Sequence, residues 1–183
     1  MPETYSTFPP YTSDLTQEFI QQEESIFYYI YAILYSNIYR GKYQEFLKTD
    51  FPRIPFTTDY QSFKGLALLG ERLVKLHLLQ SNELNYPVAK CEGEEGRVEK
   101  IEYNEKSKLL WINATQFFDG IKAEVWNYQI GGYRVLERWL KDRKGRILSA
   151  EDIKHYCRIV TALGKTIEIQ KHIDKLYPKV EKN

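Results

Sequence analysis

Residues 126–146 read WNYQIGGYRVLERWLKDRKGR, and the change of character along this stretch decides how the rest of the chain is assigned. A polar and aromatic run, Trp126-Asn127-Tyr128-Gln129, meets the pair Gly131-Gly132. An amphipathic segment follows, with Val135, Leu136, Trp139 and Leu140 on one stripe. Glycine tolerates positive φ and close backbone approach, so the pair predicts a point where an extended segment breaks into a helix, whose first N–H groups face the loop. Over residues 134–146 six Arg or Lys side chains stand against Glu137 and Asp142, in a chain whose formal net charge is only +1. That local surplus points to a partner rich in phosphate, recognised by the distribution of charge and not by its total.

Outward from this stretch, the composition bounds the fold. A chain of 183 residues with 43% hydrophobic content is expected to form a single globular domain able to bury a core. Its 15 tyrosines offer apolar bodies with polar tips, suited to half-buried edges and binding surfaces. Cys91 and Cys157 have neither disulfide-scaffold density nor zinc spacing, which predicts a reduced, cytoplasmic setting. The apolar run 26–35 is too short and too rich in tyrosine to span a membrane, so no membrane partner is expected.

Four parts follow in order: an extended arm and short helix over 1–24, a helical part over 25–80, a β part over 81–130 and a helical part over 131–183. Within the arm, Phe8-Pro9-Pro10-Tyr11 resembles the Asn/Asp-Pro-Pro-Tyr motif of amino-methyltransferases. It lacks the acceptor that the chemistry needs at its first position and reads as a turn. From Ser25, Ile26, Phe27, Ile30, Ile33 and Leu34 recur at helical spacing. Ser36-Asn37 caps a second helix. The prolines of Asp50-Phe51-Pro52-Arg53-Ile54-Pro55-Phe56 then enforce an extended strut that projects Arg53. Thr57 or Thr58 caps a third helix over 59–79, whose Gly65 and Gly70 imply close approach by a neighbour.

Alternation over 97–103, a polar turn and Leu109-Leu110-Trp111-Ile112 predict a β-hairpin at about 97–113. Phe117-Phe118-Asp119-Gly120 reads as a turn and residues 121–126 as a short strand. Ser149-Ala150-Glu151-Asp152 forms an approximate capping box for a long terminal helix. Its apolar positions change face between Ile167 and Ile169, so its last turns rest on a second surface of the chain or on a separate neighbour. The expected class is α+β: mainly helical, with a small antiparallel sheet and a long C-terminal helix.

Catalytic patterns are absent from this reading. No glycine-rich nucleotide loop follows a strand, His77, His155 and His172 lack ligand partners at metal spacing, and no serine sits in a nucleophile elbow. The chain is therefore expected not to be an enzyme by itself, and no metal site is expected.

The segments IFYYIYAILYSNIYRGKYQEFLKTDFPRIPF, LGERLVKLHLL, VWNYQIGGYRVLERWLKDRKGR and LSAEDI, with the terminal helix, together resemble the C-terminal specificity part of type ISP restriction-modification enzymes and related adenine-specific DNA methyltransferases. The joint occurrence of DFPRIP and IGGYRVLERWLKDR makes the resemblance specific, and it extends over residues 4–175. It implies a target-recognition module for double-stranded DNA that works with methyltransferase, translocase and nuclease domains of the same polypeptide or a separate subunit. S-adenosylmethionine and ATP are then expected only on those other domains. Phosphate contacts position such a module while base-edge contacts specify the sequence. The expected phosphate-binding residues are Arg134, Arg138, Lys141, Arg143, Lys144 and Arg146, with Arg40, Lys42 and Arg53 as a second group. The base-reading candidates are Asn113, Gln116, Asn127, Tyr128 and Gln129, because Asn and Gln can bond adenine bidentately. The alternative class is a protein-interaction module that docks on another domain or subunit.

Overall fold

The computed structural model describes residues 13–181, with side chains from residue 23 onward. The arm at 1–12, with Phe8-Pro9-Pro10-Tyr11, lies outside the described residues. Helix accounts for 55% of the structure and among the described residues no strand exceeds three residues, which is the α+β class expected. The described residues form two compact units, one running up to Glu71 and including the residues from Leu176 onward, the other Arg72–Lys175.

The first unit is built around α1 (Ser13–Tyr35). The short helix expected before residue 25 and the helix expected from Ser25 form one continuous element that begins at Ser13. Its buried face also differs from the expected stripe. Tyr29, Ala32 and Ile33 are buried, while Ile26 and Phe27 are exposed. Tyr29 can lie in the core because its ring stacks between Phe56 and Phe63, with centroids at 5.1 and 4.9 Å, while its hydroxyl donates to Pro55 O at 2.8 Å. A buried phenol with a satisfied oxygen contributes large apolar area without the penalty of an unpaired polar group.

Ser36 caps α2 (Asn37–Lys42), accepting from Tyr39 N–H, and α3 (Phe46–Thr49) follows. The Tyr39 hydroxyl donates to Arg53 O at 3.1 Å. Two tyrosine hydroxyls thus satisfy carbonyls of the proline strut, whose extended backbone has no ladder to do so. The cap of α4 (Tyr60–His77) is Asp59 in place of the expected threonines: its carboxylate accepts from Gln61 N–H and Ser62 N–H, and Thr57 Oγ1 accepts from Asp59 N–H. Gly70 answers the expectation of close approach, since a Cβ there would lie 1.8 Å from Tyr28 O. The last turn of the chain places Tyr177 edge-on to Tyr39 at 6.1 Å, and Lys42 bonds Glu181 at 2.8 Å.

In the second unit a 3-10 turn (Asn82–Asn85) leads into a four-stranded antiparallel sheet of order β1-β4-β3-β2, from β1 (Lys90–Glu92), β2 (Glu102–Asn104), β3 (Leu109–Trp111) and β4 (Phe117–Asp119). The expected hairpin is present as β2–β3, with Tyr103 opposite Leu110. Residues 97–100 are not part of it: Val98 N–H donates to Arg146 O, Gly145 N–H donates to Val98 O, and Glu99 N–H donates to Ile112 O. Phe117-Phe118-Asp119 is a strand and not a turn, paired with both β1 and β3. Residues 121–126 are not a strand: Ala123–Trp126 form α5, started by backbone bonds to Lys122 O. The alternation of IKAEVW fits one helical turn with Val125 and Trp126 buried as well as it fits a strand.

The terminal helix, α7 (Ala150–Val180), starts with the expected box. Ser149 Oγ accepts from Asp152 N–H at 3.1 Å, and Asp152 Oδ2 accepts from Ser149 N–H at 3.2 Å. Tyr156, Cys157, Val160 and Leu163 enter the core formed with Leu110, Phe118, Leu136 and Leu140. Ile169, Ile173, Tyr177 and Val180 are also buried. Leu176, the third apolar residue of that second face beside Ile169 and Ile173, is only half-buried, so this chain covers most of the face and not all of it.

Candidate nucleic-acid interface

The glycine pair makes a tighter structure than a strand-to-helix break. Gln129-Ile130 (β5) and Tyr133-Arg134 (β6) pair antiparallel, with Gln129 opposite Arg134 and Ile130 opposite Tyr133. Gly131 and Gly132 have φ of 59° and 83°. Two consecutive positive-φ residues are the signature of a type I′ hairpin turn, whose twist matches that of the strands. A Cβ on either glycine would meet nothing within 4 Å, so the tip stands free of the described chain.

α6 (Val135–Lys141) continues directly from β6. Leu136 and Leu140 are fully buried, and Tyr156 Oη donates to Leu136 O. This face is scaffold. Its outer face carries ion pairs: Glu137 lies 2.7 Å from Lys141 and 3.9 Å from Arg134, and Arg138 lies 3.1 Å from Asp142. Exposed pairs of this kind contribute only about 0–1 kcal/mol each, so a phosphate can compete for their cations.

Arg143 is held more firmly. Its guanidinium lies 3.5 Å over the Trp139 ring, and it donates to Trp139 O and to Asp152. Burial pushes the Asp152 carboxyl up, but hydrogen bonds from Ser149 and Arg143 outweigh it and hold the group below the ordinary aspartate range. Lys144 and Arg146 are exposed, and neither has an ion-pair partner among the described residues. The turn bearing them is pinned by Val98 and by Arg97, which donates to Gly145 O at 2.6 Å and whose backbone bridges to Ile147. Arg97 escapes sequence reasoning because nothing local links it to residues 145–147.

The five base-reading candidates separate into used and unused groups. Asn113 Oδ1 accepts from Thr115 N–H at 2.9 Å and Gln116 N–H at 2.7 Å, and its Nδ2 donates to Arg97 O. Gln116 is buried, accepts from Gly96 N–H and donates to Cys91 Sγ. Asn127 and Gln129 are exposed, on either side of half-buried Tyr128. Arg40, Lys42 and Arg53 belong to the first unit. Arg40 and Arg53 are exposed, while Lys42 is engaged by Glu181, a hydrogen bond that raises the Lys42 pKa and lowers that of Glu181.

Other titratable groups are structural in character. Burial pushes the Cys157 thiol up to about 11 and raises Cys91, so both favour the unreactive thiol form. Burial lowers the His77 pKa, and His77 Nε2 lies 2.9 Å from Thr166 Oγ1. Among the described residues no three His, Cys, Asp or Glu side chains converge on a metal position. No described helix is long and apolar enough to cross a membrane.

The fold recurs in solved structures, among them three DNA complexes. A nuclease-deletion mutant of the Type ISP restriction-modification enzyme LlaGI, in complex with a DNA substrate mimic, matches 81% of this chain with TM-score 0.60 and 22% identity. The DrdV–DNA complex matches 88% with TM-score 0.65 and 22% identity. The ATP-dependent Type ISP restriction-modification enzyme LlaBIII bound to DNA matches 86% with TM-score 0.61 and 20% identity. The aligned region spans only 13%, 20% and 12% of those chains respectively. No curated protein matches this chain. The sequence profile of the Type ISP C-terminal specificity domain matches residues 10–172, nine-tenths of the chain and every element of the hairpin, α6 and the basic turn, and this chain belongs to that family.

Proposed function

We propose that this chain is the DNA target-recognition module of a larger restriction-modification enzyme or adenine-N6 DNA methyltransferase. The observation that supports it best is the combination of a free hairpin, carrying Gln129 beside exposed Asn127, with the Lys144 and Arg146 turn, in a chain of the specificity-domain family. Asn127 and Gln129 are proposed to contact base edges. Lys144 and Arg146, with Arg134, Arg138 and Lys141 on exchange of their acidic partners, contact phosphate. Asn113, Gln116 and Arg143 shape the loops that present those groups. The chain is read as non-catalytic, with S-adenosylmethionine and ATP on other domains of the enzyme, which acts on double-stranded DNA in the cytoplasm.

Each neutralised phosphate steepens the dependence of log affinity on log salt by roughly 0.9. The Lys144→Ala/Arg146→Ala double variant of the intact polypeptide should therefore lower that slope by about 1.8, two contacts' worth. An unchanged slope removes this turn from the interface. A second reading, docking on another domain or subunit, is favoured by the aromatic cleft of the first unit. There a cavity of about 140 Å³ lies among Tyr39, Tyr43, Phe46, Leu47 and Phe51, with Phe46 and Phe51 exposed. Replacing Phe46 and Phe51 by Ser should release such a partner in size-exclusion chromatography without altering the salt slope.

A further inference from the structure

The same hairpin carries two side chains to which nothing so far gives a role. Ile130 and Tyr133 face each other across the ladder and are 51% and 66% exposed. Side chains alternate between faces along a strand, so this pair shares one face of the hairpin while Gln129 and Arg134 share the other. The Arg134 guanidinium lies 5.8 Å from the Trp126 ring on one face of the ribbon, where Gln129 stays exposed, and Ile130 and Tyr133 occupy the other face. Directly opposed residues sit close enough for their side chains to form one continuous apolar edge. The glycine tip beyond them presents backbone alone, which keeps the end of the ribbon thin.

We propose that Ile130 and Tyr133 are specificity determinants that recognise the C5-methyl group of thymine in the major groove of duplex DNA. This rests on the reading of the chain as a DNA-recognition module. A two-stranded β-ribbon fits the major groove, the thymine methyl is the one apolar group that the bases expose there, and apolar side chains are its natural contacts. Charge favours a nucleic acid over an apolar protein surface as the occupant. The strand that bears Tyr133 also bears Arg134 and runs straight into the helix that bears Arg138 and Lys141, so cations that can meet phosphates flanking the groove stand next to the apolar edge.

Replacing thymine by uracil deletes the methyl and leaves every hydrogen-bonding edge intact. The test uses the intact polypeptide and a duplex it selects from a random-sequence library, prepared once with thymine and once with uracil at every thymine position in both strands. Burying one methyl is worth about 0.8 kcal/mol, so the uracil duplex should bind about fourfold more weakly for each methyl contacted. The Ile130→Ala/Tyr133→Ala variant should bind the thymine duplex as weakly as the unaltered protein binds the uracil one, with no further loss on the uracil duplex. Equal affinity of the unaltered protein for the two duplexes overturns the proposal and leaves DNA recognition standing, and this arm needs no variant. A variant that still loses affinity with uracil as strongly as the unaltered protein also overturns it. Failure to select any sequence overturns both the methyl contact and the DNA-recognition reading beneath it.

Discussion

Two loops of the second unit hold the same chemical groups and use them in opposite ways. At 113–116, between β3 and β4, Asn113 and Gln116 turn their amides inward onto Thr115 N–H, Gln116 N–H, Gly96 N–H and Arg97 O. At 127–134, Asn127 and Gln129 remain exposed. The backbone explains the difference. The first loop leaves N–H groups without ladder partners, and these recruit the nearest amides. In the second, the two-residue turn closes its own ladder, and the amides stay exposed. Availability for recognition is thus decided by what the surrounding backbone lacks, and not by residue type.

The largest expected effect lies in the first loop. Asn113→Ala removes the acceptor for two N–H groups and a donor to Arg97 O, and should cost about 2–3 kcal/mol, or roughly 4–10 °C in Tm. Thermal unfolding checks it, and a loss below about 0.5 kcal/mol, the level of an ordinary surface change, would erase the contrast between the loops. The hairpin tip ranks next. Gly132→Val places a β-branched residue at φ of 83° and should cost about 1–2 kcal/mol, whereas Gly131→Asn should be nearly neutral, because Asn-Gly suits a type I′ turn. If both variants melt alike, the turn geometry is not what holds the tip.

Much of this arrangement was legible in the sequence. Ser149 and Asp152 announce the start of α7, Gly70 the close approach to α1, and Glu137 and Asp142 the pairing on α6. The polar turn after Asn104 announces β2–β3. Short elements were harder to read. Two-residue strands such as Gln129-Ile130 are too brief to show alternation, so Gly131-Gly132 read as a break into helix when they close a hairpin. The amides of Asn113 and Asn127 look alike in a sequence, because the backbone vacancy that captures Asn113 exists only once Gly96 and Arg97 have folded beside it. Tyr29 was harder still: its burial depends on the distant Pro55 carbonyl and Phe56 ring.

A smaller effect concerns the start of α7, which anchors the basic turn. The folded pKa of Asp152 is lowered, so its contribution to stability is fully present above the ordinary aspartate value of about 4 and is lost as pH falls through the lower folded value. Asp152→Asn should cost about 1 kcal/mol at pH 7, the usual worth of a helix-start interaction discounted for solvent exposure. Unfolding curves recorded across pH should show the difference between the two proteins narrowing as the solution is acidified below pH of about 4. A difference constant from neutral to acid pH would mean that the carboxylate charge is not involved.

The smallest effect on stability is expected where the effect on recognition is greatest. Asn127→Ala/Gln129→Ala should change stability by no more than about 0.5 kcal/mol. The measurement that tests the central claim is the ratio of affinities of the intact polypeptide for its selected duplex and a scrambled one at fixed salt, with and without this double change. A good bidentate base contact is worth about 1–3 kcal/mol, so the account predicts a fall in that ratio of roughly tenfold or more, with binding to the scrambled duplex unchanged. A ratio that survives the double change intact would contradict the assignment of base reading to the free hairpin.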